Sequence, residues 1–368
     1  MPTTAEVVQV GIALDATYMG RVYTELNSLP SAKIVSVGSL CIAPFMSLVI
    51  YEALRKSSSL PASVNLNLSE DANDVCGRAR HSLKLFTDTN GGIDRQLTHF
   101  EQEIMKEHSR YFLGNTWLPL ARFLETDLGV FTYEGQIITT THSATFHLGV
   151  TSHRLFQDGF GRVMQSILQQ MGRCLAELGT GEHVGEPNTF ASFASDTSLR
   201  NRDVRAAKHY GRSFNGPDTP YINGALTDFQ AIANFIASLL IAGSNPLSLE
   251  YSVFKIRYIA LFHILASLRV LQDRPDMRLS RSSTKAIERI IGTREAQIVT
   301  DPGTRGFRNT LMHYAPTNSM LDQIDLSEPL FGLAPICFPG HDFRSLSALV
   351  DQCIRTTSRE LNEWARVM

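Results

Sequence analysis

The chain has 368 residues, of which 43% are hydrophobic and 19% charged, with a formal net charge of −2. That is enough chain for two domains or one large one, with ample apolar content for a core. A balance so near neutrality excludes a global basic field, so any nucleic-acid contact has to be a local patch or cleft.

Five cysteines, Cys41, Cys76, Cys174, Cys337 and Cys353, are scattered and form no C-x-x-C pair. An odd, scattered set argues against a zinc site and a disulfide framework, and fits free thiols in a reducing cytoplasm. The opening MPTTAEVVQV lacks a basic start followed by an apolar run, so no signal peptide is read and a cytoplasmic location is expected. Two uncharged stretches, 34–51 and 229–249, are long enough to raise a membrane span. The first holds three serines, Gly38 and Pro44. The second carries Gln230, Asn234 and Ser238 as a narrow polar stripe, the pattern of a helix buried in a bundle, so no membrane span is expected.

In chain order, EVVQVGIAL (6–14) and KIVSVGSLCI (33–42) read as strands flanking a helix, with a second helix near 45–56 and a third strand near 62–69. This strand–helix–strand pattern allows a Rossmann-like unit, although no G-x-G-x-x-G follows a strand, and GTGEHVG (179–185) reads as a loop. Residues 79–127 read as mostly helical. Glu134-Gly135 between two Thr- and Ile-rich runs predicts a hairpin, and a helix is expected over about 155–178. Gly179 to Asp218, rich in Gly, Pro, Ser and charge, is the best boundary.

Beyond it the pattern is helical. Thr227 with Gln230 suggests a capping box opening a helix that Gly243 closes. Further helices are expected over about 249–272 and 283–291. Another is announced by Asp301-Pro302 and has to stop before Pro316, and a last one covers about 343–367. The expected class is therefore α+β and mostly helical: an N-terminal mixed α/β region over 1–200, and a C-terminal helical bundle over 222–368.

The helix PGTRGFRNTLMHYA concentrates the chemistry. Phe307, Leu311 and Tyr314 share one face and are expected in the core. With Arg308 at the origin, Arg305 falls near about 60°, Asn309 near about 100° and His313 near about 140°, an outward polar arc that also takes in Met312. Histidine titrates near neutrality and can act as base or acid. Arginine offers phosphate a planar fork of donors and stays charged. Asparagine orients either without adding charge.

Arg308-Asn309 followed by His313 resembles the R-(polar)-x(3–5)-H signature of HEPN-superfamily ribonucleases, over roughly 222–368. The resemblance implies a four- or five-helix bundle, and a homodimer whose two motifs form one cleft. It implies cleavage of RNA to a 2′,3′-cyclic phosphate, with Arg308, Asn309 and His313 as catalytic residues. No metal or organic cofactor is implied. Arg305 could add a phosphate contact. In many toxin-type members a Tyr stands two residues after the His; here Tyr314 follows directly and Ala315 holds that place. Similar architectures serve prokaryotic defence, toxin or CRISPR-associated systems, in which an N-terminal sensor answers a nucleotide or protein activator.

Three R-x(4–6)-H pairs occur in the chain. Arg257 with His263 reads as core, and Arg202-Asp203 with His209 as a solvated stretch. His142, His147 and His153 read as hairpin-surface and turn histidines, and the acidic Glu70, Asp71 and Asp74 as a solvated turn. G-x-S-x-G is absent. The alternatives to the nuclease are a catalytically silent interaction module and a ligand-binding regulator working through the N-terminal region.

Overall fold

Thr3 and Glu6 start the first helix. The Thr3 hydroxyl accepts the Glu6 N–H at 3.2 Å, and the Glu6 carboxylate accepts the Thr3 N–H at 2.7 Å. This reciprocal cap opens α1 (Thr4–Ser28), and Ser31 caps α2 (Ala32–Arg55). The computed structural model describes residues 1–62, 64, 66–87, 92–179, 198–216, 219–240 and 247–366.

The two N-terminal runs expected as strands are thus helical. Val7, Val8, Ile12, Ala16, Met19 and Val22 are buried at helical spacing along α1. Burial on that face, with a strong cap, outweighs the β preference of the valines and isoleucines. Residues 7–56 contain no strand, so the Rossmann-like reading fails there; nor do the described residues of 62–69 form one. α2 is long and apolar enough to cross a membrane, with 72% of its most apolar window buried inside the molecule. An apolar surface all round is what a helix enclosed by protein requires.

α3 (Glu70–Ser82) follows, with Glu70 and Asp71 in its first turn rather than in a free turn. α4 (Gly92–His99) runs on through a wider-wound stretch, Phe100–Lys106, into α5 (Glu107–Phe112). β1 (Leu128–Tyr133) and β2 (Gln136–Thr140) form the expected hairpin, with φ of 49° at Glu134 and 81° at Gly135. α6 (Thr141–Leu148) and α7 (Phe160–Leu178) come next. β3 (Leu199–Val204) then pairs antiparallel with β1, giving the order β2-β1-β3.

α8 (Pro220–Ser238) begins at a proline in its first position, well before the expected capping box. Thr227 lies buried in mid-helix, its hydroxyl donating to the Asn223 carbonyl at 2.8 Å. Gly243, Val367 and most of the loop at 179–185 lie outside the described residues. α9 (Leu247–Gln272), α10 (Arg281–Ile291), α11 (Arg305–His313) and α12 (Phe343–Arg366) complete a mostly helical α+β fold. The polar stripe of α8 is buried against α12: Gln230 donates to Asn362 Oδ1 at 2.8 Å, and Asn362 donates to Asn234 Oδ1 at 2.7 Å. Buried amides satisfied by one another fix the register of the two helices.

One apolar core runs from Val7 to Trp364 and passes through both regions expected from the sequence, 1–200 and 222–368. α1 packs on α2, α7 and α9, so the N-terminal helices are part of the bundle that carries α11. The two tryptophans sit in opposite surroundings. Trp364 is 1% exposed, with Phe214 edge-on to it, whereas Trp117 is 83% exposed beside the equally bare Leu120, Phe123 and Leu124.

Gly224 shows how closely this core is packed. A Cβ there would stand 2.3 Å from the Phe100 ring, itself 2% exposed and wedged against Phe146, His142 and Tyr210. Gly224→Ala is expected to lower the unfolding free energy by about 1–3 kcal/mol, as overpacking does. An unchanged urea midpoint would contradict this.

Candidate functional site

Local sequence chemistry builds α11. The Asp301 carboxylate accepts the Gly303 N–H at 2.6 Å, Pro302 occupies the first helical position, and the Thr304 hydroxyl donates to the Asp301 carbonyl at 2.7 Å. Tyr314, left-handed at φ 49° and ψ 38°, ends the helix before Pro316. Phe307, Leu311 and Tyr314 are buried as expected, with the Phe307 ring edge-on to Tyr258 and Phe338.

Arg305 is exposed, while Arg308, Asn309 and His313 are half-buried. Met312 does not share the outward arc. It is 2% exposed, and its sulfur faces His263 Nε2 at 3.4 Å. α9 covers this nine-residue helix more widely than the ideal core stripe allows.

Arg308 Nη2 donates to Asn309 Oδ1 at 2.7 Å, and the guanidinium carbon lies 5.0 Å from the Phe262 ring centre. Its Nε–H is buried and has no hydrogen-bond partner among the described residues. Burial and then the neighbouring Arg305 charge pull the Arg308 pKa down, yet guanidinium stays protonated.

The His313 side chain is 33% exposed, and Nδ1 lies 3.1 Å from Glu52 Oε1 on α2. The same oxygen accepts from Arg80 of α3, at 2.8 Å from Nη2 and 3.2 Å from Nε. Arg80 Nη2 also stands 3.4 Å from His313 Nδ1. Because a carboxylate only accepts, Nδ1 carries the proton toward Glu52, and the Arg80 contact is two donors converging on one oxygen. Burial pushes the Glu52 carboxyl up, but the His313 bond and charge, with the Arg80 charge and bond, outweigh it and leave its pKa lowered. The anionic carboxylate thus fixes the imidazole tautomer and leaves Nε2 as the basic nitrogen.

His263 lies nearby but is closed off. It is fully buried, held by the Thr87 hydroxyl at 2.9 Å, with its pKa lowered to about 3 by burial and then by Arg308, Lys84 and Arg80. Its motif partner Arg257 is core as well, 2% exposed and paired with Asp351.

His142 and His147 are not surface histidines; both are buried in α6, because the hairpin packs that helix inward. His153 is exposed, bonded to the Tyr111 hydroxyl at 2.6 Å. His147 bridges the Ser82 hydroxyl, 2.8 Å from Nδ1, and Asp228, 3.0 Å from Nε2. This serine–histidine–aspartate chain was not visible in the sequence, since its members come from α3, α6 and α8. All three are under a tenth exposed, and the adjoining cavity of about 20 Å³ holds about one water, too little for a substrate. Arg202 and His209 are likewise brought together, on β3 and the short helix Ala206–Tyr210, where both line a cleft.

The buried histidines set an acid limit. Burial lowers His108 to about 4 and His142 well below its ordinary value, and His263 behaves alike. The unfolded chain protonates these rings near pH 6.5, so below that pH it binds more protons than the folded chain and stability falls. The slope is about 1.4 kcal/mol per pH unit for each ring. Urea midpoints are therefore expected to drop steeply between pH 7 and pH 5; equal midpoints would refute this.

No group of three or more His, Cys, Asp or Glu among the described residues is placed to hold a metal. No protein-family model, no curated protein and no solved structure matches this chain.

Proposed function

We propose that this chain is a metal-independent endoribonuclease of the HEPN type, cutting RNA in prokaryotic defence or toxin action in the cytoplasm. The observation that carries the reading is the part-exposed His313 ring, held by the buried Glu52 carboxylate on the short helix that also bears the half-buried Arg308 and Asn309. In the first step His313 Nε2 takes the proton of a ribose 2′-hydroxyl. The 2′-oxygen bonds to phosphorus, and the bond to the 5′-oxygen breaks, leaving a 2′,3′-cyclic phosphate. Glu52 stabilises the imidazolium that forms, as a carboxylate behind a histidine does in other general-base sites. Arg308, through the part of its guanidinium not bonded to Asn309, meets the charge on the phosphorane. Asn309 steadies that guanidinium, and Arg305 adds an outer phosphate contact.

The leaving 5′-oxygen needs a second proton-transfer group. Glu52 is kept as a carboxylate and His263 is neutral and enclosed, so neither supplies one. This supports a homodimer in which a second His313 acts as acid. A second reading, a silent interaction module, draws on the fact that Arg308 is already bonded to Asn309 and stacked on Phe262.

Incubating the purified chain with single-stranded and structured RNAs in EDTA decides between them. Fragments ending in 2′,3′-cyclic phosphate are expected; intact RNA throughout the panel overturns the nuclease.

A further inference from the structure

A polar cleft of about 420 Å³ opens where the β1–β2 hairpin, β3, the middle of α8 and the C-terminal end of α12 meet. Arg200, Arg202 and Arg366 line it together with His209, and among the described residues no aspartate or glutamate does. Among the described lining residues, three guanidiniums without an acid place a charge of +3 in one cleft of a chain whose net charge is −2. Arg200 and Arg202 alternate with Asn201 on β3, an edge strand, and so share one face of it. None of the three arginines forms an ion pair with another described residue. Gln230 and Asn362, members of the buried amide network, lie at its floor. His209 adds an Nε2 that is buried and without a hydrogen-bond partner among the described residues.

Like charges converging without a counter-charge repel one another, and an anion relieves the repulsion. The fork of arginine suits phosphate oxygens, two donors to two acceptors. The volume falls in the range of about 300–1,000 Å³ that holds small ligands. We infer that this cleft binds a small ligand of nucleotide size carrying two or more phosphates, through Arg200, Arg202 and Arg366. The inference is independent of the nuclease reading, since it uses no residue of α11.

Calorimetric titration of the full chain with ATP and with inorganic triphosphate tests it. Both are expected to bind. Arg200→Ala/Arg202→Ala is expected to weaken binding by about a hundredfold, because a hydrogen bond to a charged group contributes about 1.5–3 kcal/mol. Both side chains are exposed, so the unliganded melting temperature should hold; Arg366→Ala, at the end of α12, is the second variant should it not. Arg344→Ala, an exposed arginine on the opposite end of α12, is the charge-matched control and should bind as wild type. The proposal is overturned by no binding, by binding that the cleft variants leave unchanged, or by a loss in Arg344→Ala as large as theirs. Sulfate competing as well as triphosphate at equal ionic strength also overturns it, as does an RNA oligonucleotide held more tightly by the same arginines.

Discussion

His313→Ala is expected to cut RNA at least about a hundredfold more slowly than the unaltered chain, the scale on which a positioned general base contributes. The fold should survive the change. The ring is one-third exposed, and Glu52 keeps its buried partner Arg80 when the imidazole is gone. Glu52→Gln separates positioning from proton transfer: the base remains, but the anion that steadies the imidazolium is lost, so kcat should fall while KM holds. Arg308→Lys keeps the charge and discards the fork, and should also fall in rate. Initial rates in EDTA, with circular dichroism of each variant, check these expectations. If His313→Ala cuts at the wild-type rate, this histidine is not the base, whatever RNA the chain degrades.

The largest loss of stability is expected from Asp15→Ala. Asp15 sits 2% exposed in α1, where its carboxylate accepts from Ser252 at 2.6 Å, from Tyr314 at 2.6 Å and from the buried ammonium of Lys255. Lys255 also lies 3.8 Å from the centre of the Tyr314 ring. Burial pulls the Lys255 pKa down, and Asp15 opposes that. Removing the carboxylate strands a cation in the core, at a cost of about 3–5 kcal/mol. Tyr314 is the residue that ends α11, so the same change should also loosen the helix bearing His313. Urea denaturation at pH 7 measures the first effect and RNA cleavage the second. A stability change below about 1 kcal/mol would mean that Lys255 finds other partners or gives up its proton.

How much of this was legible in the sequence depends on distance along the chain. α11 was legible because its signals are local: Asp301-Pro302 starts it, Pro316 bounds it, and Phe307, Leu311 and Tyr314 mark its inner face. The hairpin was legible for the same reason, through Glu134-Gly135. α1 was misread although Thr3 and Glu6 announce a helix, because valine and isoleucine carry a strand preference that only burial against α2, α7 and α9 overrides. Glu52 and Arg80 lie 261 and 233 residues from His313, so nothing near the motif points to them. The arginine cleft was hidden in the same way. Arg202 and His209 sat in a charged stretch that reads as solvated, and only the fold brings Arg366 to them.

The contrast between Trp117 and Trp364 gives the molecule a built-in optical readout. Iodide in solution can collide with the first indole and not with the second, so quenching separates their fluorescence. The shielded indole neighbours Ala365 and Arg366 of the arginine cleft, and its emission therefore reports from beside that cleft. The bare indole stands with Leu120, Phe123 and Leu124, and its emission registers whatever comes to cover that segment. Two events in different parts of one chain can thus be followed without attaching a dye.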